Sequence, residues 1–167
     1  MFKRIAPIFL FALLSGCHAN YSLSGASIPD YAKSFSVQYF KNQAQLAGPT
    51  VSQQFTDALR NYIASHSRLS LSTSGDLDFE GTISGYSIAP VTVSGNAPGQ
   101  SATTRLTITI DVIYTDKTDA KKCFNASFSR YADYPSSQSL AAQQADLITQ
   151  IDNQLVQDIF DKAFNNW

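Results

Sequence analysis

A strict alternation of apolar and polar residues between Arg105 and Thr115 constrains the fold of this chain more than any other feature. The apolar members are Leu106, Ile108, Ile110, Val112 and Tyr114, and the intervening positions are mostly threonine or aspartate. Successive side chains of a β-strand point to opposite faces of the sheet. The segment therefore predicts a strand that buries one face only, and other elements must cover that face.

Three further segments alternate in the same way and are predicted strands. Their inward residues are Phe35, Val37 and Tyr39 in the first, Leu77, Phe79, Gly81 and Ile83 in the second, and Phe124, Ala126 and Phe128 in the third. Beyond Gly85 the apolar parity moves to Tyr86 and Ile88, which predicts a β-bulge at that glycine. Glycine, proline and asparagine in the segment 94–101 predict a loop.

Two segments have helical periodicity instead. The first has apolar residues at Val51, Phe55, Ala58, Leu59, Tyr62 and Ile63 and should end near Ser67. Thr50 and Gln53 match a capping box at its start. The second follows a Pro-Ser turn at 135–137, keeps its apolar spacing from Leu140 to Phe164, and predicts a helix running to the C-terminus.

The predicted order is β-α-β-β-β-α. We therefore expect an α+β fold, a two-layer sandwich in which a four-stranded, mainly antiparallel sheet has both helices on one face. The other face of the sheet should stay polar and accessible, because its outward residues are largely serine, threonine and asparagine.

The N-terminus has the features of a bacterial export signal. Lys3 and Arg4 precede an apolar run that is too short to span a membrane, and Leu14-Ser15-Gly16-Cys17 resembles the lipobox of lipoproteins. We predict a signal peptide over 1–16, acylation of Cys17 with fatty acids such as palmitate, a lipidated tether over 17–32 and one domain over 33–167. The membrane is then a partner through the N-terminal lipid.

Charge and cysteine content argue against nucleic-acid binding and against an internal disulfide. The chain has 12 basic and 13 acidic residues, and loss of the signal peptide removes two of the cations. The small basic cluster of Lys117, Lys121 and Lys122 is too narrow to predict nucleic-acid binding. With Cys17 acylated, Cys123 would be the one thiol left, so the fold must stand without an internal disulfide.

No catalytic, metal or cofactor motif is evident. The histidines are His18 and His66, and a catalytic triad would have to rest on His66, which is better explained as a solvated helix residue. Asp76, Asp78 and Glu80 share one parity but lack the glycine-punctuated loop of a calcium site. We predict that the protein is not an enzyme, with no catalytic residue, no metal and no cofactor.

Arg105, Lys121, Lys122 and Arg130 are scattered over the predicted sheet and its turn. They are either ordinary surface residues or contacts for an anionic lipid head group, since arginine and lysine bind phosphates well. The pattern alone leaves both interpretations open.

Several segments together resemble the LptE family of lipopolysaccharide-assembly lipoproteins, in the form found in Bacteroidetes. They are the lipobox, SVQYFKNQAQLAGPTVSQQFTDALRNYI, GDLDFEGTISGYSIAPV, RLTITIDVIYT, FSRYADYPSSQSL and QDIFDKAFNNW. The resemblance implies a non-enzymatic plug and assembly factor for the LptD β-barrel of the outer membrane, which binds lipopolysaccharide on its way to the outer leaflet. Arg105, Lys121, Lys122 and Arg130 are then positional candidates for that lipid.

The resemblance also implies a location. The protein would be anchored in the outer membrane, facing the periplasm and the barrel lumen, because His18-Ala19-Asn20 lacks the acidic run that resembles a surface-export signal. The alternative is a periplasmic lipoprotein acting as an auxiliary subunit of a lipid transporter or as a ligand-binding module. Co-purification with a barrel, or with an inner-membrane complex, distinguishes the two.

Overall fold

A computed structural model describes residues 28–91 and 102–165. In chain order the elements are β1 (Ser34–Val37), β2 (Lys41–Asn42), α1 (Pro49–His66), β3 (Ser70–Leu71), β4 (Leu77–Val91), β5 (Thr103–Asp116), a 3₁₀ turn (Ala120–Lys122), β6 (Phe124–Pro135) and α2 (Leu140–Phe164). Cys17 and the predicted loop over 94–101 lie outside the described residues.

The strands form one mixed sheet in the order β3-β1-β4-β5-β6, with β2 also paired to β4. β4, β5 and β6 are an antiparallel meander, whereas β1 runs parallel to both β3 and β4. The predicted α+β sandwich is confirmed, but the described part of the sheet has six strands rather than four. The two extra strands have two residues each, which is too short for an alternating pattern to reveal.

Both helices lie on the same face of the sheet and share one core with it. Helix α1 packs on β1, β2 and β3, while α2 packs on β5 and β6. The inward residues predicted for β5, from Leu106 to Tyr114, are all buried in this core. Because the helices cover one face only, the opposite face of the sheet is free of them, and it is called the helix-free face below.

The predicted bulge is confirmed. The β4–β5 register is regular up to Ile83, which pairs with Ile110, and resumes at Gly85, which pairs with Thr109. The extra residue switches the parity of β4, so that Tyr86 is buried although Ile83 is buried three positions earlier.

Two local predictions are wrong. Tyr39 was expected to face the core but is 49% exposed, because β1 ends at Val37 and Phe40 is buried instead. The Phe40 ring packs edge-on against Phe55 at 5.0 Å, and its backbone N–H donates to the Thr56 hydroxyl. The chain therefore bends at 38–40, and this bend brings the fully apolar ring of Phe40 into the core in place of Tyr39.

The capping box is the second wrong prediction. Helix α1 begins two residues earlier than that box requires, at Pro49, with Gly48 as its N-cap and no side-chain cap. Proline is favoured at the first helical position because its φ is preset and its missing N–H would have no helical partner there. Gln53 donates to Asp57 one turn onward instead of reaching back to Thr50.

The two ends of the domain differ in which elements they contain. The helices run side by side in the same direction, since Gln54 bonds Thr149 at 3.1 Å and the Tyr62 ring meets Phe160 at 5.4 Å. Both helices therefore finish at the end where the described chain begins. This basal end comprises 28–34, 66–76, 116–124 and the last turn of α2, and the distal end lies around Val91, Thr103 and Pro135.

Candidate binding surfaces

The helix-free face is a polar surface built by the outward residues of β4, β5 and β6. Its central rows join Thr107 to Ser87 and Tyr131, Thr109 to Gly85 and Ser129, and Asp111 to Thr82 and Ser127. The hydroxyls of Thr109 and Ser129 are hydrogen-bonded at 3.0 Å. Hydroxyls both donate and accept, so this face can exchange hydrogen bonds with a polar partner or with water. The sequence pattern predicted it correctly.

Arg105 lies on this face towards the distal end and is already engaged. Its Nε and a terminal nitrogen donate to the two carboxylate oxygens of Asp133 at 2.7 and 2.9 Å, and its guanidinium sits 3.5 Å from the ring centre of Tyr131. These hydrogen bonds raise the pKa of Arg105 and lower the pKa of Asp133. An anionic ligand at Arg105 would have to compete with Asp133.

Arg130 belongs to a different surface. Its Nε and a terminal nitrogen donate to the carboxylate of Asp158 on α2 at 2.5 and 2.7 Å, which raises the pKa of Arg130. Arg130 has the parity of Phe128 and Ala132, so it points to the helix side of β6. The pair therefore joins the sheet to α2. Parity indicated the side, but the partner belongs to another element and could not be read from the pattern.

Lys121 and Lys122 lie at the basal end, in the 3₁₀ turn between β5 and β6. Asp119 caps this turn by accepting from the backbone N–H of Lys121, and the Lys122 ammonium is 5.5 Å from the ring centre of Tyr31. At the rise of a strand, Arg105 is about 35 Å away along β5. The structure therefore places the four predicted cations in three separate locations.

An open groove of about 550 Å³ lies on the helix-free side of the bend at 38–40. It is lined by Gln38, Tyr39, Lys41, Asp78, Glu80, Gly81, Thr82 and Ile113. Tyr39 and Ile113 are both large and substantially exposed here. Sequence reasoning missed this groove because it assigned Tyr39 to the core. The exposed tyrosine and isoleucine, with charged residues at the rim, suit a contact with a mixed polar and apolar partner.

The acidic residues considered for a calcium site serve the backbone instead. Asp76 accepts from the amides of Lys33 and Ser34 and from the Ser34 hydroxyl at 2.9 to 3.0 Å, and these bonds lower its pKa. Asp78 accepts from the Ser36 hydroxyl. Within 28–91 and 102–165, no three residues of the metal-binding types converge.

His66 and Cys123 are used locally. The His66 ring stacks on Tyr62 at 4.0 Å, and its Nδ1 is 2.9 Å from the Tyr62 carbonyl oxygen. Cys123 is an exposed free thiol whose Sγ accepts from the amide of Asp116. Both residues therefore lie at the ends of secondary-structure elements at the basal end, where their side chains contact the backbone.

Helices α1 and α2 lack the apolar length that a bilayer crossing needs, as does any helix in the described part.

Comparison with known proteins gives a family match and distant structural likenesses. The model of the family LptE, described as lipopolysaccharide-assembly, matches residues 32–163. No curated protein matches the chain.

Solved structures share the fold at low identity. A minor lipoprotein from Acinetobacter baumannii has a TM-score of 0.50 and 14% identity over 78% of this chain and 91% of its own. A hypothetical protein from Chlamydia trachomatis has a TM-score of 0.54 and 7% identity over 80% and 99%. A homologue of a neuraminyllactose-binding haemagglutinin from Helicobacter pylori has a TM-score of 0.54 and 10% identity over 85% and 88%. At these identities the likeness shows the fold alone.

Proposed function

The chain belongs to the LptE family of lipopolysaccharide-assembly proteins, and on that premise we propose that it is an outer-membrane lipoprotein working with an LptD-like β-barrel. In this role it serves as plug and assembly factor and helps deliver lipopolysaccharide to the outer leaflet, without catalysis. The observation that supports this most is the family match over 32–163, which spans almost all of the described domain.

The helix-free face supports the barrel contact. A single layer of helices leaves the sheet's hydroxyl-rich surface open, and the lumen of an outer-membrane barrel is polar. Thr107, Thr109, Ser127 and Ser129 would meet such a wall through hydrogen bonds and water rather than through a large apolar patch. The groove at Tyr39 and Ile113 adds an apolar anchor to the same side.

The lipid anchor is proposed from the N-terminal motif. Residues 1–16 would be removed as a signal peptide, Cys17 would be acylated, and 17–32 would tether the single domain. Such an anchor holds the domain at the periplasmic side of the outer membrane.

Co-purification from detergent-solubilised membranes tests the barrel complex. We expect the tagged full-length protein at native expression to recover an LptD-like barrel of the same organism. Replacing Ser129 with tryptophan puts a bulky ring in the middle of the helix-free face and should strongly reduce that recovery. Asn61→Trp, on an exposed position of α1, is the matched control and should leave recovery unchanged. Recovery of an inner-membrane complex in place of a barrel would contradict the proposal.

Lipopolysaccharide binding is tested by charge removal. We expect the triple variant Arg105→Ala, Lys121→Ala, Lys122→Ala to bind lipopolysaccharide several-fold more weakly at fixed salt, because arginine and lysine are its proposed phosphate contacts. The variant should stay folded and lose no more than about 1 kcal/mol, because the Arg105–Asp133 pair that it removes is solvent-accessible and such pairs contribute little to stability. Lys41→Ala controls for the loss of one exposed cation. Since Arg105 lies far from the two lysines, an Arg105→Ala variant and a Lys121→Ala, Lys122→Ala variant measure the contribution of each location. Unchanged affinity of the triple variant would rule out all three residues as lipopolysaccharide contacts.

A further inference from the structure

The charges of the domain are distributed unevenly between its ends. Six of the ten described cations lie at the basal end, namely Lys33, Arg68, Lys117, Lys121, Lys122 and Lys162. Five of the 13 described acids share that end, namely Asp30, Asp76, Asp116, Asp119 and Asp161. The rest of the domain therefore has four cations against eight acids.

Three of the basal acids accept hydrogen bonds from backbone and hydroxyl groups and not from lysines. Asp116 is 2% exposed and accepts from the Tyr31 hydroxyl at 2.5 Å and from the amides of Thr118 and Asp119 at 2.9 Å. Asp76 accepts from the amides of Lys33 and Ser34, and Asp119 caps the 3₁₀ turn. The carboxylates are thus satisfied by backbone and hydroxyl groups.

The close contacts of three basal lysine ammonium groups are with neutral groups, and the charge of Lys117 also acts on the Asp76 carboxylate, whose pKa it helps to lower. Lys117 donates to the Ser74 hydroxyl at 2.9 Å, Lys122 lies over Tyr31, and Lys162 lies over Phe124 at 5.2 Å. Within the described residues, each close ion pair uses an arginine, and the basal lysines take part in none of them. The lysines are therefore not held in close ion pairs and can contact an external anion, and six cations against five acids give the basal end a formal net charge of +1.

The basal end is also where the chain leads towards Cys17. The first described residue, Ile28, lies there, since its carbonyl oxygen is within 3.5 Å of Arg68. Residues 18–27 connect it to Cys17, and ten residues reach about 35 Å at most. If Cys17 is acylated as proposed above, this is the end held closest to the bilayer.

We propose that the basal end is a docking surface for the anionic phospholipid head groups of the membrane that holds the protein. Lys117, Lys121 and Lys122 of the β5–β6 turn are its centre, with Lys33 and Lys162 beside them. Lysines close to an anionic bilayer are attracted to it within about a Debye length. The acidic remainder of the domain would be repelled if it approached the same surface, so the basal end is the favoured point of contact with the bilayer. This inference rests on the proposed lipid anchor but requires no barrel.

Lysine labelling tests the orientation. Full-length lipidated protein is reconstituted in phosphatidylcholine vesicles with or without phosphatidylglycerol, and the acetylation rate of each lysine is measured by mass spectrometry. We expect Lys117, Lys121 and Lys122 to react several-fold more slowly on the anionic vesicles, and high salt should remove the difference. Lys41, on β2 away from the basal end, is the internal control and should react equally on both. Equal rates for the basal lysines on both vesicles would overturn the docking surface.

A variant and a flotation assay separate this proposal from the anchor. We expect the amide hydrogens of 116–124 to exchange more slowly on anionic vesicles. The triple variant Lys117→Gln, Lys121→Gln, Lys122→Gln should abolish this slowing, whereas Lys41→Gln should preserve it. Protein that floats with neutral vesicles is anchored by its lipid. If its segment 116–124 then exchanges amide hydrogens equally fast on neutral and on anionic vesicles, the docking surface is contradicted and the anchor is not. Flotation on anionic vesicles only would support docking and contradict the anchor, and flotation on neither would overturn both.

Discussion

Asp152→Asn is expected to remove a large fall in stability that the buried Asp152 carboxyl should cause between about pH 4 and pH 7. Asp152 is 2% exposed, on the face of α2 that includes Ile151, Leu155 and Val156. Neither of its carboxylate oxygens has a hydrogen-bond partner among the described residues. Burial therefore raises its pKa from 3.8 to about 7, since a buried charge without a partner is costly.

The sign of the effect follows from proton uptake on folding. Between the unfolded pKa of 3.8 and the folded pKa of about 7, the folded state binds more protons than the unfolded state. The stabilising contribution is complete below the unfolded pKa and is lost as the pH rises through the folded pKa. At about 1.4 kcal/mol per pH unit, this single carboxyl lowers the free energy of unfolding by ~4 kcal/mol at pH 8 relative to pH 4.

Urea unfolding at several pH values between 5 and 8 measures this effect. We expect Asp152→Asn to gain stability over the wild type as the pH rises, with the difference levelling off above about pH 7. Asp76 and Asp133 have lowered pKa values, so their protonation in acid lowers the free energy of unfolding of the wild type and the variant by the same amount. This contribution therefore cancels when the two proteins are compared. Asp146→Asn, an exposed carboxyl on the same helix, should show a constant difference. Parallel curves for wild type and Asp152→Asn would contradict the argument.

Gly81→Ala is expected to destabilise the domain by ~3 kcal/mol or more. A Cβ at this position would lie 2.1 Å from the carbonyl oxygen of Asp111 and 2.7 Å from Cε1 of Phe40. The Asp111 oxygen belongs to the backbone of β5, which is paired on both sides with β4 and β6 and cannot retreat. Phe40 is held by its contact with Phe55. The added methyl group must therefore displace a central strand or expel a core aromatic ring.

Thermal and urea denaturation compare this variant with a glycine that has space. Gly48→Ala adds a Cβ whose nearest neighbour is the Thr50 hydroxyl at 3.9 Å, so we expect a change below about 1 kcal/mol at this N-cap. Similar losses for the two variants would mean that the strand adjusts freely around Gly81, and would contradict the argument that Asp111 and Phe40 leave no space for a Cβ there.

Features that depend on one contiguous segment were predictable. The alternation in β5 correctly indicates its buried face, and the parity change at Gly85 correctly indicates the bulge. The same rule failed at Tyr39, because the apolar alternation continues there although the strand has ended. Whether Tyr39 or Phe40 enters the core depends on the space beside Gly81 of β4 and on the Thr56 hydroxyl of α1. The apolar pattern of the segment around Tyr39 contains no information about either.

The candidate surfaces divide in the same way. The helix-free face follows from the threonines and serines of β5 and β6, since period-two alternation assigns them to one side. The pairing of Arg105 with Asp133 and of Arg130 with Asp158 depends on residues 28 positions away. The groove at Ile113 required knowledge of where β1 ends.

By itself, the sequence determined which side of each long strand and helix is buried and that one sheet face stays polar, because these are periodic properties of short segments. Only the tertiary structure decided which charges are neutralised and which gather at one end. Tyr31 reaches Asp116 across 85 positions, and Lys117 reaches Ser74 across 43. Contacts over such separations arise from how strands and helices pack, and that packing satisfies the acids of the basal end while leaving its lysines open to an anionic surface.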